Sequence, residues 1–86
     1  MAARRQKPHD LRDKNTFAYR LAQRRKELGI NTTELDMRSG RSPGTCRVIE
    51  WRNSRMVHVE TAMALAKALK VNYIWLLTGD GERLMY

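Results

Sequence analysis

The sequence predicts an all-α domain built from five short helices. Apolar residues recur at three- and four-residue intervals in several segments, which is the spacing of one helix face. Asn, Ser and Thr precede these segments and glycines follow them, as expected at helix starts and stops. No segment alternates strictly between apolar and polar residues, and no internal repeat is visible. The 86 residues are enough for one domain with a modest core.

The first fourteen residues, MAARRQKPHDLRDK, are polar and basic. Because they contain few apolar side chains to bury, we expect a flexible N-terminal arm over residues 1–14. Such an arm can become ordered along a phosphate backbone, and its candidate contacts are Arg4, Arg5 and Lys7. The folded domain is predicted over residues 15–80, and residues 81–86 are predicted to form a C-terminal tail.

The first two helices have recognisable ends. Helix 1 is predicted over residues 16–28, with Asp13 or Asn15 as its N-cap. Its core face is predicted to consist of Phe17, Ala18, Leu21 and Leu28, with Gly29 as the left-handed stop. Helix 2 starts with a capping box formed by Asn31 and Glu34.

A tight turn is predicted between helices 2 and 3. Gly40 ends helix 2 because glycine adopts a positive φ at little cost. Ser42 then caps helix 3, and Pro43 takes the first helical position, where its missing N–H is not needed. Helix 3 is therefore predicted over about residues 43–51. Its inward residues are predicted to be Cys46, Val48 and Ile49, and its outward residues Arg47 and Arg52.

Two more helices follow a predicted loop over residues 51–57. Helix 4 is predicted over residues 59–69. Its core stripe is predicted to be Val59, Ala62, Met63, Ala66 and Leu69. Helix 5 is predicted over residues 72–77, capped by Asn72, and the glycine-containing sequence TGDGE ends it.

The positive charge is concentrated in one part of the sequence. The formal net charge is +8, and residues 1–55 contain fourteen Lys/Arg against six Asp/Glu. Residues 56–86 contain three of each and are neutral. A segregated basic surface favours a polyanionic partner such as a nucleic acid, whereas an evenly charged one would indicate only solubility.

Composition argues against several other classes of function. No segment approaches the roughly 20 apolar residues of a membrane-spanning helix, and no signal peptide or lipidation motif is visible. Cys46 has no second cysteine to pair with, which favours a reducing cytoplasm. His9 and His58 have no cysteine at metal-ligand spacing, so we expect no metal and no other cofactor. No nucleophile–base pair or carboxylate pair indicates an enzyme, and no small-molecule substrate is expected.

Two segments resemble the helix-turn-helix domains of the lambda repressor and Cro family. RLAQRRKELGINTTELDMRSG is similar to helices 1 and 2 of the small lambdoid phage repressors, and VETAMALAKALKVNYIWLLTGDGE is similar to their helices 4 and 5. The second segment is the more specific because it contains AKAL, a following V and WLLTG. The resemblance covers roughly residues 16–80 and implies a five-helix lambda repressor-like DNA-binding domain, with helix 3 in the major groove.

The resemblance also implies which residues contact DNA. Thr32 and Thr33 begin helix 2, where a phosphate is expected, and Arg47 is the side chain able to make a bidentate contact with guanine. The usual base-reading positions are Pro43, Gly44, Thr45 and Val48, while phosphate contacts fall on Arg41, Arg52, Asn53 and Arg55. The candidate DNA-binding residues are Thr32, Thr33, Arg41, Ser42, Pro43, Gly44, Thr45, Arg47, Val48, Arg52, Asn53 and Arg55.

Other positions receive structural interpretations from the same comparison. Arg25 and Glu50 match positions where related repressors have an ion pair between helices 1 and 3, so we expect a partly buried pair. Asp36 replaces the alanine that the family prefers within helix 2, and its expected partner is Arg41 or Arg47. Cys46 is interpreted as a small core residue.

The leading hypothesis is a sequence-specific transcriptional regulator of phage or bacterial origin. It would bind a palindromic double-stranded operator as a homodimer in the cytoplasm of a bacterium or phage-infected host, with its recognition helices about 34 Å apart. The alternative is a degenerate helix-turn-helix module that binds another protein, as an antirepressor or antitoxin component does. Pro43, Gly44 and Asp36 favour this alternative, whereas the segregated charge and the basic N-terminal arm oppose it.

Overall fold

The computed structural model describes residues 16–84, and this part of the chain forms five helices. They are α1 (Phe17–Glu27), α2 (Thr32–Ser39), α3 (Thr45–Arg52), α4 (Val59–Leu69) and α5 (Tyr73–Thr78). Between residues 16 and 84, β structure is limited to one antiparallel bridge between Val71 and Leu84. The predicted all-α class is confirmed. Arg4, Arg5 and Lys7 of the predicted arm lie outside the described residues.

The starts of α1, α2 and α5 are capped by side chains that accept hydrogen bonds from backbone amides. Asn31 caps α2 as predicted, accepting from the Glu34 amide at 2.8 Å, and Asn72 caps α5. The predicted cap of α1 is wrong, because Thr16 fills that role and accepts from the Tyr19 amide at 3.1 Å. Because Asn and Thr are both good N-caps, the sequence alone does not decide between the neighbouring residues Asn15 and Thr16.

The core lies between the five helices, each of which contributes buried apolar side chains. Helix α1 packs on α3 and α5, and α2 packs on α3 and α4. The largest fully buried apolar side chains are Phe17, Leu21, Leu35, Leu65, Leu69, Val71 and Leu76. Burying this set supplies most of the driving force for folding, since each such side chain contributes about 1.5–3 kcal/mol.

The predicted core stripe of α4 is partly wrong. Val59 and Met63 are 54% and 48% exposed, whereas Leu65 is buried with Ala62 and its neighbours on the same face. The spacing of a helix face is found both in the pair Val59 and Met63 and in the pair Ala62 and Leu65. Hydrophobic periodicity is therefore compatible with either pair facing the core. Packing against α2 and α5 selects the face that contains Leu65.

Two arginines of α1 bind the C-terminal ends of other helices. Arg20, which is 6% exposed, donates to the Leu76 and Leu77 carbonyls at 2.9 and 2.8 Å. Burial lowers the pKa of Arg20, against the opposing effect of Asp80. Arg24 donates to the Leu69 carbonyl at 3.0 Å. Part of the basic charge of α1 therefore satisfies helix ends within the protein.

The residues after α5 fold back onto the domain. The Arg83 carbonyl accepts from the Asn72 amide at 2.9 Å, next to the Val71–Leu84 bridge. The Arg83 guanidinium lies 5.7 Å from the Trp75 ring centroid and donates to Glu27 at 2.8 Å. Residues 83 and 84 of the predicted tail thus connect α5 to the end of α1.

Candidate nucleic-acid interface

The turn between α2 and α3 occupies residues 40–44. Gly40 ends α2 with a φ of 73°, as predicted, and the Arg41 amide donates to the Asp36 carbonyl at 2.9 Å. Helix α3 begins at Thr45, two residues later than predicted, after Gly44 with a φ of 91°. Ser42 and Pro43 therefore belong to the turn, and the predicted Ser42 cap is wrong.

Asp36 caps α3 from the neighbouring helix. It is 2% exposed, and its two carboxylate oxygens accept from the Gly44 and Cys46 amides at 2.9 Å each. Since glycine has no side chain to cap the helix, a carboxylate on α2 satisfies the amides at the start of α3. The expected pairing of Asp36 with Arg41 or Arg47 is wrong, because backbone amides occupy both oxygens.

Helix α3 separates an inward face from an outward face. Cys46 and Ile49 are buried as predicted, while Arg47 is exposed. Val48 was considered both as an inward residue and as a base-reading one; it is 48% exposed and lies on the outer face with Trp51, which is 50% exposed. Residues 47, 48 and 51 are neighbours on one face because they are three and four positions apart.

The predicted ion pair between α1 and α3 is present. Arg25 donates to the two carboxylate oxygens of Glu50 at 2.7 and 3.0 Å, and also to the Ile30 carbonyl at 2.8 Å. Both side chains are largely buried, at 14% and 18% exposed. The hydrogen bonds that Arg25 donates to Glu50 raise the pKa of Arg25, against the opposing effect of burial. This bidentate contact fixes the middle of α3 against the end of α1.

The segment after α3 is attached to the start of α1. Asn53 has a φ of 50°, and its side-chain oxygen accepts from the Thr16 hydroxyl at 2.6 Å. The Ser54 carbonyl accepts from the Ala18 amide at 3.0 Å. Arg52 and Arg55 are exposed on either side of this attachment, where we predicted phosphate contacts.

Two other predicted contact residues, Arg41 and Thr45, are partly engaged within the protein. Arg41 is half-buried and donates to the Thr61 hydroxyl at 3.2 Å, which directs it towards α4. The Thr45 hydroxyl donates to the Ser42 carbonyl at 2.8 Å. At the start of α2, Thr33 is exposed whereas Thr32 is half-buried.

An open groove of about 760 Å³ lies on the surface where α1 packs on α3. It brings together the predicted residues Thr32, Arg47 and Asn53 with others that the sequence did not single out. The lining residues are Ala18, Tyr19, Ala22, Gln23, Lys26, Glu27, Thr32, Arg47, Glu50, Trp51 and Asn53. The lining residues of α1 recur at three- and four-residue intervals, and Trp51 follows Arg47 by four residues on α3. Helix periodicity could therefore have identified the faces of α1 and α3 that line the groove.

The described residues offer little other chemistry. Residues 16–84 contain no group of three His, Cys, Asp or Glu side chains able to hold a metal ion. Cys46 is fully buried, and burial, with a hydrogen bond that the thiol donates to the Asp36 carboxylate, raises the pKa of the thiol. A thiol held in this protonated form is a poor nucleophile. None of the described helices is long and apolar enough to cross a membrane.

Comparisons with known proteins do not identify a family. The chain matches none of the protein-family models and none of the curated sequences. A function has to be argued from the chemistry of this surface, which combines the exposed face of α3, the start of α2 and the arginines after α3.

Proposed function

We propose that this protein is a sequence-specific DNA-binding transcriptional regulator of the phage or bacterial repressor type. Helices α2 and α3 would form a helix-turn-helix, with α3 in the major groove and two copies of the chain on a palindromic operator. One observation carries the proposal. Helix α3 buries Cys46 and Ile49 while exposing Arg47, Val48 and Trp51, so that a short, rigidly attached helix presents a cationic and apolar outer face.

The charged residues on and around α3 support a polyanionic partner. Glu50 and Glu34 near α3 are paired with Arg25 and Arg38, and the Asp36 carboxylate is buried. Three arginines, Arg47, Arg52 and Arg55, are exposed on α3 and the segment after it. A surface whose acidic groups are matched internally and whose arginines are exposed attracts phosphate groups.

The residues of α3 suggest different contacts along a duplex. Arg47 has the geometry to bind guanine through two hydrogen bonds, and Val48 can contact a thymine methyl group. Arg52, Asn53 and Arg55 follow the helix and would bind phosphates, which sets the register without reading sequence. Asn53 retains its amide NH₂ for this role, because only its oxygen is bonded to Thr16.

Selection of bound duplexes from a random DNA pool tests the proposal. We expect a palindrome whose half-sites are about 10–10.5 base pairs apart, which is one turn of DNA. Arg47→Ala should lose preference at one base pair of each half-site, corresponding to about 1–3 kcal/mol. Lys67→Ala, on the exposed surface of α4, is the matched control. If the duplexes bound by the wild-type protein share no enriched sequence, sequence-specific recognition would be contradicted.

A protein-interaction module is the second candidate, and the front of α3 favours it. Pro43 and Gly44 offer no side-chain donor, the Thr45 hydroxyl is bonded to Ser42, and Asp36 occupies two amides. The usual base-reading positions are therefore poorly equipped for hydrogen bonding. A gel shift with random duplex DNA at low salt separates the candidates, since the absence of a shift at micromolar protein would favour this second function.

A further inference from the structure

We infer that the groove between α1 and α3 holds one sugar–phosphate strand of the bound duplex, so that the DNA contact extends from α3 onto α1. This inference rests on the proposed function and adds α1 residues that the resemblance did not assign to DNA. It follows from the shape of the groove, from the balance of its charges and from the position of its two ends.

The groove is wide because its floor is made of small residues. Ala18 and Ala22 lie on α1 beneath it, and the larger Tyr19 and Trp51 stand on opposite helices. Trp51 remains 50% exposed, although it belongs to a helix whose other face is in the core. An open channel with an aromatic ring on each helix gives the sugars of a backbone strand an apolar surface to contact.

The charges of the groove favour an anion. Glu50 is neutralised by Arg25, and Glu27 by Arg24 and Arg83 at 3.1 and 2.8 Å. The hydrogen bonds from Arg83 and then Arg24 lower the pKa of Glu27, so these pairs persist at neutral pH. The remaining charged residues of the lining, Lys26 and Arg47, are both cationic and exposed.

The two ends of the groove carry predicted phosphate contacts. Asn53 lies at the end where α1 begins, because it is bonded to Thr16. Thr32 comes after the opposite end of α1, near Lys26. A backbone strand that contacts Thr32 and Asn53 would therefore run along the groove between them, past Lys26 and Trp51.

The salt dependence of duplex binding tests this inference. Lys26→Gln removes one phosphate contact, so the slope of log affinity against log salt should become shallower by about one unit. Lys67→Gln removes an exposed lysine of α4 that does not line the groove, and its slope should equal that of the wild type. Circular dichroism checks that both variants retain the helical fold.

Tryptophan fluorescence gives a second, independent readout. Trp51 lies in the groove and Trp75 is 9% exposed, so a duplex in the groove should change the emission of Trp51 alone. We expect an emission change in the wild type and none in Trp51→Phe. A full change in Trp51→Phe would overturn the inference.

The lysine variants separate the groove from the function. Duplex binding by the wild type with an unaltered slope in Lys26→Gln overturns the groove and leaves the proposed regulator intact. Absence of any duplex binding overturns both. If Lys26→Gln weakens binding of a single-stranded oligonucleotide but not of the duplex, the groove holds single strands and the duplex assignment is overturned.

Discussion

Asp36 determines where the outward helix of this protein begins. A buried carboxylate is costly unless it is hydrogen-bonded, and here two backbone amides satisfy it at 2.9 Å. In return it supplies the start of α3 with the cap that Gly44 lacks. It also occupies amides that a phosphate could otherwise bind at this helix start, so the proposed DNA contacts of α3 would fall to the side chains of residues 47, 48 and 51.

Replacing Asp36 should lower the stability of the fold. Asp36→Ala leaves the Gly44 and Cys46 amides without acceptors, and we expect a loss of about 1–3 kcal/mol in the free energy of unfolding. Urea denaturation measures it. Glu34→Gln, which alters an exposed pair on the same helix, should cost less than about 0.5 kcal/mol. An Asp36→Ala protein as stable as the wild type would show that the cap contributes nothing.

Helix α3 is held at two points, by Asp36 at its start and by Glu50 at its middle. The Arg25–Glu50 pair is bidentate and mostly buried, so removal of one partner strands the other charge. Since Arg25 also bonds the Ile30 carbonyl, it additionally connects the end of α1 to the start of α2. The angle of α3 relative to the rest of the molecule depends on both attachments.

Single and double substitutions at this pair should not be additive. Arg25→Met or Glu50→Leu alone should destabilise by about 3–5 kcal/mol, and the double variant should recover part of that loss because no charge is left stranded. Thermal unfolding of the four proteins measures the coupling. Arg38→Met, which breaks an exposed pair, should cost less than about 1 kcal/mol. Additive losses would indicate two independent surface charges.

The sequence predicted helix elements better than it predicted their contacts. Capping residues and stop glycines located α2 and α5 to within a residue or so, and hydrophobic periodicity located α4, because those signals are local. The start of α3 was misplaced because its cap comes from Asp36, eight residues before Gly44. The orientation of Val59 and Met63 depends on packing between helices, which hydrophobic periodicity does not encode.

At the scale of the whole molecule, the charge divides the chain into a basic part and a neutral part. All of the net charge of +8 lies within residues 1–55, which include α1, α2 and α3. Two copies repel each other through such surfaces but can approach through neutral ones. A dimer that places two basic faces side by side is therefore compatible with the charge distribution.

The proposed homodimer predicts a difference between full and half operators. A duplex containing both selected half-sites should bind much more tightly than one containing a single half-site, because the second contact becomes intramolecular. Fluorescence anisotropy with the two duplexes measures the ratio, and a scrambled duplex controls for non-specific binding. Equal affinity for the full and half operators would indicate that one chain binds alone.

Chemical-shift mapping tests the central claim most directly. Titration of ¹⁵N-labelled protein with duplex DNA should shift the amides of Arg47, Val48 and Trp51, together with those at the start of α2, at substoichiometric DNA. Amides of the exposed surface of α4 should shift much less. Perturbations confined to α4 and α5, with the outer face of α3 unaffected, would contradict a DNA-reading role for α3.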